Sequence, residues 1–186
     1  NLRCTSSAEV TIIANPVPEV KISGADSICY GLETNLIATN TNTSAIIQSW
    51  EWKSENEGFS NAGLSYTSTG AIKEKSEFTA IATTNNGCKG EATHTIDVYS
   101  DFNFTIKGDE YICENSAFKI YASPDAANKY KKVEDYRYSW APQGGVSDTA
   151  KGFIYEKTDF TLTITDVNNC VKSFPSTVLF EKLPKL

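Results

Sequence analysis

The chain has 186 residues, 40% hydrophobic and 22% charged, with 11 glycines. That suits one large or two modest domains with a buried core, and it excludes a fibrous glycine repeat and wholesale disorder. A formal net charge of -6 repels phosphate backbones and anionic lipid surfaces, which are bound through clustered Lys and Arg, so nucleic acid and membrane partners are excluded. The densest apolar stretch, Val10 to Ala14, is interrupted by Thr11 and falls far short of the roughly 20 residues of a spanning helix, so no membrane insertion is expected.

The opening Asn1-Leu2-Arg3-Cys4 has neither an initiator Met nor a signal-peptide pattern, and reads as part of something longer. Beyond it the chain repeats itself. Ile22-Ser23-Gly24-Ala25-Asp26-Ser27-Ile28-Cys29 aligns without gaps on Ile106-Lys107-Gly108-Asp109-Glu110-Tyr111-Ile112-Cys113, keeping Ile, Gly, Ile and Cys. Phe78 to Cys88 aligns in the same way on Phe160 to Cys170. Cys4 continues the register 84 residues before Cys88. After each cysteine an alternating strand follows: Ala8, Val10, Ile12, Ala14; then Ala92, His94, Ile96, Val98; then Phe174, Ser176, Val178, Phe180. Three segments result: residues 1–18, the last strand of a preceding repeat plus a linker stiffened by Pro16 and Pro18; residues 19–101, one repeat; and residues 102–186, a second.

Within each repeat the apolar pattern has period two. Trp50 and Trp52 alternate with polar residues, as do Tyr136, Tyr138 and Trp140, and both runs read as the central strand of a sandwich. Phe78, Ala80 and Ala82 in one copy, and Phe160, Leu162 and Ile164 in the other, point inward from a later strand, making Trp52, Trp140, Phe78 and Phe160 the core aromatics. Asn85-Asn86-Gly87 and Asn168-Asn169 supply the last turn. No sustained 3.6-residue period appears, and only Pro124 to Lys132 offers a short helical turn. The fold class is all-β, with tandem immunoglobulin-like antiparallel β-sandwiches. The connection Tyr99 to Asn103 is too short for freely swinging domains, which implies a rod.

Five cysteines sort by the repeat into Cys29 with Cys88 and Cys113 with Cys170, leaving Cys4 to an absent domain. Each expected bridge closes a loop of nearly 60 residues, worth about 4 kcal/mol if unstrained. No close-spaced cysteine pair exists and His94 is the single histidine, so zinc is not expected. Oxidised pairs imply an exported, extracellular or cell-surface protein.

The string at residues 22–29, the tryptophans Trp52 and Trp140, and the endings Thr83-Thr84-Asn85-Asn86-Gly87-Cys88 and Thr165-Asp166-Val167-Asn168-Asn169-Cys170 together resemble the tandem immunoglobulin-like and PKD-like repeats of large Bacteroidetes surface proteins. Gliding-motility adhesins and cargo of the type IX secretion system are among these. The resemblance covers nearly the whole chain and is specific for the repeat type but not for the protein, since such repeats occur in adhesins, in stalks and beside secreted enzymes. The second copy departs from the first in having Asn169 where Gly87 stands, and in the extra segment Lys129-Tyr130-Lys131-Lys132.

Candidate chemistry is sparse. His94 falls in the register of Val10 and Ser176 and reads as a strand residue, without the neighbours nucleophilic catalysis needs. The acidic pairs Glu55 with Glu57, Glu74 with Glu77, and Glu134 with Asp135 read as solvated loop charge in preference to a glycosidase pair. Glu19, Asp101 and Asp109 are too scattered for a calcium motif. No catalytic residue, metal or cofactor is assigned. The loops Glu55 to Ser65 and Ala126 to Asp135 are the places where a sandwich carries a ligand, and Tyr130 with Tyr136 is the candidate surface for a sugar ring. Asp26-Ser27-Ile28 and Asp148-Thr149-Ala150 resemble the O-glycosylation signal of exported Bacteroidetes proteins, marking Ser27 and Thr149. Nine aspartates make one such match expected by chance.

The expected function is a non-catalytic segment of a large exported protein, a disulfide-stapled spacer presenting an adhesive region. Its partners are neighbouring repeats and, at most, a surface glycan or protein ligand. The alternative is a carbohydrate-binding module accessory to a secreted enzyme.

Overall fold

In the computed structural model, which describes residues 4, 6–56, 59, 63–130 and 132–184, the alternating segments from Val20 onward become strands, with one 3-10 turn among them, whereas the strand expected over Ala8 to Ala14 is not formed and residues 6–19 join no ladder. The chain divides into two compact units, Asn1–Val98 and Tyr99–Leu186. In the first, β1 (Val20–Ser23), β3 (Asn35–Asn40) and β5 (Tyr66–Ser68) form one sheet in the order β1-β3-β5. A second sheet, ordered β2-β7-β6-β4, is built from β2 (Ser27–Cys29), β4 (Ile47–Lys53), β6 (Ser76–Thr84) and β7 (Lys89–Tyr99). The second unit repeats the plan: β8 (Phe104–Gly108), β10 (Phe118–Pro124) and β12 (Thr149–Gly152) form one sheet; β9 (Tyr111–Cys113), β11 (Tyr136–Ala141), β13 (Thr158–Asp166) and β14 (Val171–Glu181) form the other, ordered β11-β13-β14-β9. Two sheets of three and four strands, with the first strand of each unit divided between them, make each unit an immunoglobulin-like β-sandwich.

Each core is filled by the side chains the alternation selects. Trp52, Phe78, Ala80, Leu36, Ala38, Ile72 and Ile96 form one buried cluster. In the second unit Trp140, Phe118, Phe160, Leu162, Ile164, Ile120 and Val178 are buried, with the rings of Phe118 and Phe160 4.9 Å apart. Both central indoles are hydrogen-bonded, as a buried N–H must be: Trp52 Nε1 donates to the Leu64 carbonyl and Trp140 Nε1 to that of Ser147, each at 2.9 Å.

Two further expectations are corrected. The tryptophan strands β4 and β11 are not central: each ends its sheet, and among the strands of the described residues β4 pairs with β6 and β11 with β13, β11 adding one isolated bridge from Trp140 to Gly145. Their large residues face the core from an edge, so alternation reports the face of a strand but not its rank in the sheet. The helical turn lies at Val133–Asp135, beyond Pro124, which stays in β10.

The last turn of each unit explains the Gly87 and Asn169 difference. Both residues have positive φ, 80° and 63°, where glycine is free and asparagine is the best-tolerated alternative. The turn is held by equivalent side chains: Thr84 Oγ1 accepts the Cys88 amide at 3.1 Å, and Asp166 Oδ1 accepts those of Asn168 and Cys170 at 2.9 and 2.8 Å.

The glycine shared by the two aligned strings has a steric cause. At Gly24 a Cβ would collide with Leu36, and at Gly108, with φ 122°, it would collide with the carbonyl oxygen of Lys119. This is where the chain leaves one sheet for the other while pressed against β3 or β10. Gly108→Ala combines backbone overlap with a forbidden φ, so it is expected to lower the stability of the second unit by about 2–4 kcal/mol. Gly145→Ala, with φ 84° but no atom within 4 Å of the new methyl, is expected to cost only about 1 kcal/mol. Urea unfolding of the two variants checks the ordering, and equal losses would contradict it.

Candidate functional site

The positions of the cysteines follow from one pairing. In the second unit β9 runs parallel to the end of β14, with Tyr111 opposite Leu179 and Cys113 opposite Glu181. Cys170 precedes the first residue of that same 11-residue strand. At about 3.3 Å per residue the two cysteines lie roughly 30–35 Å apart, whereas a disulfide needs Cα atoms within about 7 Å. The first unit is built alike: β2 lies beside β7, the Asp97 amide donates to the Asp26 carbonyl near the end of β7, and Cys88 precedes its start. The two cysteines of each unit therefore occupy opposite ends of its four-stranded sheet.

This corrects the expected bridges. Cys29 and Cys170 are in disulfide form, but Cys88 and Cys113 are free thiols, as is Cys4, so neither Cys29–Cys88 nor Cys113–Cys170 forms. The near-equal sequence spacings reflect a shared topology and not a shared bridge. Cys113 and Cys4 are exposed and Cys88 is half-buried.

The other singled-out residues fall as follows. Trp52, Trp140, Phe78 and Phe160 are all buried, at 2%, 5%, 0% and 1% exposure. Trp50 is half-buried against the first core. Ser27 and Thr149 sit half-buried in β2 and β12, and the Thr149 hydroxyl donates to Asp148 Oδ1 at 3.2 Å. His94 is half-buried in β7, its Nε2 3.0 Å from the Ala25 carbonyl and 3.6 Å from Asp26 Oδ1. It helps hold β2 against β7.

The acidic residues are spread. Glu55, Glu74 and Glu77 line an open cleft of about 550 Å³ together with Lys53 and Lys75; Glu57 lies outside the described residues, as do residues 58 and 60–62 of the loop from Glu55 to Ser65. Glu134 pairs with Lys132 at 3.3 Å. Of the residues weighed for calcium, Asp101 pairs with Lys172 at 2.8 Å and Asp109 accepts the Lys119 amide at 2.7 Å. Among the described residues no three His, Cys, Asp or Glu side chains converge as a metal site. No helix of the structure is long and apolar enough to cross a membrane.

Tyr136 is not a sugar platform. It is buried, its ring edge-on to Tyr130 at 6.5 Å, and its hydroxyl donates to the Tyr130 carbonyl at 3.1 Å. Tyr130, from the segment absent in the first copy, accepts a hydrogen bond from Asn168 Nδ2 at 3.2 Å and so braces the last turn. Phe102, Phe104 and Tyr136 complete an aromatic cluster, with ring centroids 4.9–6.2 Å apart, and Lys172 Nζ lies 5.8 Å over the Phe102 ring. The connecting residue Phe102 is thus a core residue of the second unit. Alternation alone missed it, although its place two residues before the inward Phe104 carries the same period.

No protein-family model and no curated protein matches the chain by sequence. Among solved structures it is similar to the fibronectin(III)-like modules of Clostridium thermocellum CbhA, at 13% identity over 88% of this chain and 95% of that one, with a TM-score of 0.41. It is likewise similar to murine CEACAM1b, at 10% identity over 89% and 100% of the two chains, TM-score 0.39. The insect immune protein hemolin is a third, at 12% identity over 90% of this chain and 47% of that one, TM-score 0.43.

The buried tyrosines give the second unit an alkaline limit. Tyr138 is pushed up to about 12, first by burial and then by Asp148, Tyr136 and Asp135. Tyr136 is also raised, chiefly by burial and then by Asp166 and Asp135. In the unfolded chain tyrosine ionises near 10. Between about pH 10 and 12 the unfolded state therefore gives up protons that the folded state keeps, and the stability present below pH 10 is lost as pH rises. Urea midpoints across this range are expected to fall for the wild type and to fall less steeply for Tyr138→Phe; parallel slopes would contradict the assignment.

Proposed function

We propose that the chain is a non-catalytic structural segment of a large exported or cell-surface protein, whose repeated sandwiches space and present an adhesive region. What carries this reading is the kind of residue the two units share. The common residues are those packed in or against the cores (Ile28 with Ile112, Trp52 with Trp140, Phe78 with Phe160), the aligned glycines and the cysteines. At the surface the copies differ: exposed Lys107 stands at the place of exposed Ser23. A duplicated binding surface would repeat its exposed side chains, whereas a duplicated scaffold repeats only its core and turns.

Export is supported by the disulfide-bonded Cys29 and Cys170, since such bonds persist in oxidising compartments. Boundaries near residues 19, 102 and 186, with residues 1–18 as the end of a preceding repeat, fit this reading. So does membership among the immunoglobulin-like or PKD-like repeats of Bacteroidetes surface proteins, as in gliding-motility adhesins or type IX secretion cargo. Its partners are then neighbouring repeats, and no nucleic acid or membrane is required.

The test is replacement. In the parent protein, exchanging this segment for two unrelated immunoglobulin-like units is expected to preserve adhesion, while the isolated segment binds nothing on a glycan array. Specific glycan binding by the isolated segment would instead make it a carbohydrate-binding module accessory to a secreted enzyme, and loss of adhesion on exchange would end the spacer reading.

A further inference from the structure

Each unit has two kinds of cysteine. One closes the short parallel strand, Cys29 in β2 and Cys113 in β9. The other lies in the last turn, Cys88 before β7 and Cys170 before β14. The strand kind is disulfide-bonded in the first unit and free in the second; the turn kind is free in the first and bonded in the second. Both positions are thus able to enter a disulfide. Neither free thiol can reach the other cysteine of its own unit, because the length of β7 or β14 intervenes.

We infer that Cys113 and Cys88 are linkage sites toward other sandwiches of this kind, a strand-type cysteine of one joining a turn-type cysteine of another. The partner is a second copy of the repeat, in a neighbouring segment or in another molecule. Access and local charge agree. Cys113 is exposed and followed by Glu114, whose amide donates to the Glu181 carbonyl at 2.8 Å, so acidic side chains flank it. Cys88 is followed by Lys89, and its amide and carbonyl are both bonded to Thr84, which holds the sulfur in a fixed turn. Opposite charges beside the two thiols favour the unlike pair over either like pair.

The chemistry is ordinary exchange. One thiolate attacks a small disulfide such as oxidised glutathione, forming a mixed disulfide and releasing one glutathione thiol. The second thiolate then displaces the other glutathione, so two cysteine thiols are oxidised and one glutathione disulfide is reduced to two thiols.

This goes beyond the spacer reading and does not depend on adhesion, so its test separates the two. Cys4→Ser protein, which removes the third free thiol, is mixed as labelled (¹⁵N) and unlabelled chains and incubated in a glutathione redox buffer. Non-reducing peptide mapping is expected to recover a Cys88–Cys113 peptide, about half of it isotopically mixed, in about tenfold excess over either symmetric link. A non-reducing gel is expected to show a ladder. Adding Cys113→Ser or Cys88→Ser is expected to abolish the ladder while leaving far-ultraviolet circular dichroism and the urea midpoint unchanged, since these sulfurs lie outside both cores. Glutathionylated monomers only, symmetric links at random proportions, an isotopically unmixed Cys88–Cys113 peptide, or a Cys29–Cys88 or Cys113–Cys170 bridge would each overturn the inference.

Discussion

The structure depends most on the pairing of a three-residue strand, β2 or β9, with its unit's long last strand, a pairing that is parallel between β9 and β14. A strand already committed to the three-stranded sheet must cross to the other sheet within a few residues, and the crossing brings the chain against the buried Leu36 side chain at Gly24 and against the Lys119 backbone at Gly108. At Gly108 a positive φ and the backbone contact together demand glycine, and at Gly24 the crowding by Leu36 favours it. The same crossing carries Ile28 and Ile112 into the interior, then delivers a cysteine to the end of the sheet where the last strand finishes. One steric event thus ties together the repeated Ile, Gly and Cys of the aligned strings.

At the opposite end the two units satisfy one geometric demand with different residues. A positive φ is required just before the cysteine in both copies, met by Gly87 in the first and Asn169 in the second. Thr84 caps the first turn through a hydroxyl, and Asp166 caps the second through a buried carboxylate accepting two amides. A charge that deep is tolerable because it is fully hydrogen-bonded. The additional Tyr130 and Asn168 contacts then brace a turn that lacks glycine.

Much of this was legible beforehand because a sandwich strand has an unambiguous period. The inward positions of β6, β7, β13 and β14 were readable from alternation, and the equivalence of the two copies from ungapped matches. Strand order was not, because Trp52 and Trp140 look the same from a sheet's edge or its middle. The cysteine pairing was not, because Cys29 to Cys88 and Cys113 to Cys170 have similar spacings whether they touch or lie at opposite ends. Only the parallel ladder distinguishes those cases, and a parallel partner of three residues leaves almost no local trace. Phe102 was missed because it sits in what reads as a connection, where the second core begins before its first strand.

The segment after Cys4 shows how far pattern alone goes. Ala8, Val10, Ile12 and Ala14 repeat the inward register of β7 and β14, yet residues 6–19 join no ladder, and Val10 and Ile12 are 84% and 88% exposed. The equivalents of Ile12, Ile96 and Val178, are fully buried, and those of Val10, His94 and Ser176, are half-buried. Their strands are flanked on one side by β6 or β13 and on the other by β2 or β9. The same alternation is a strand where two neighbours supply backbone partners and a core face, and an irregular chain where they do not. β-Propensity is in this sense a capacity to fit a pleated, half-buried surface, and the surface has to be provided by the rest of a sandwich.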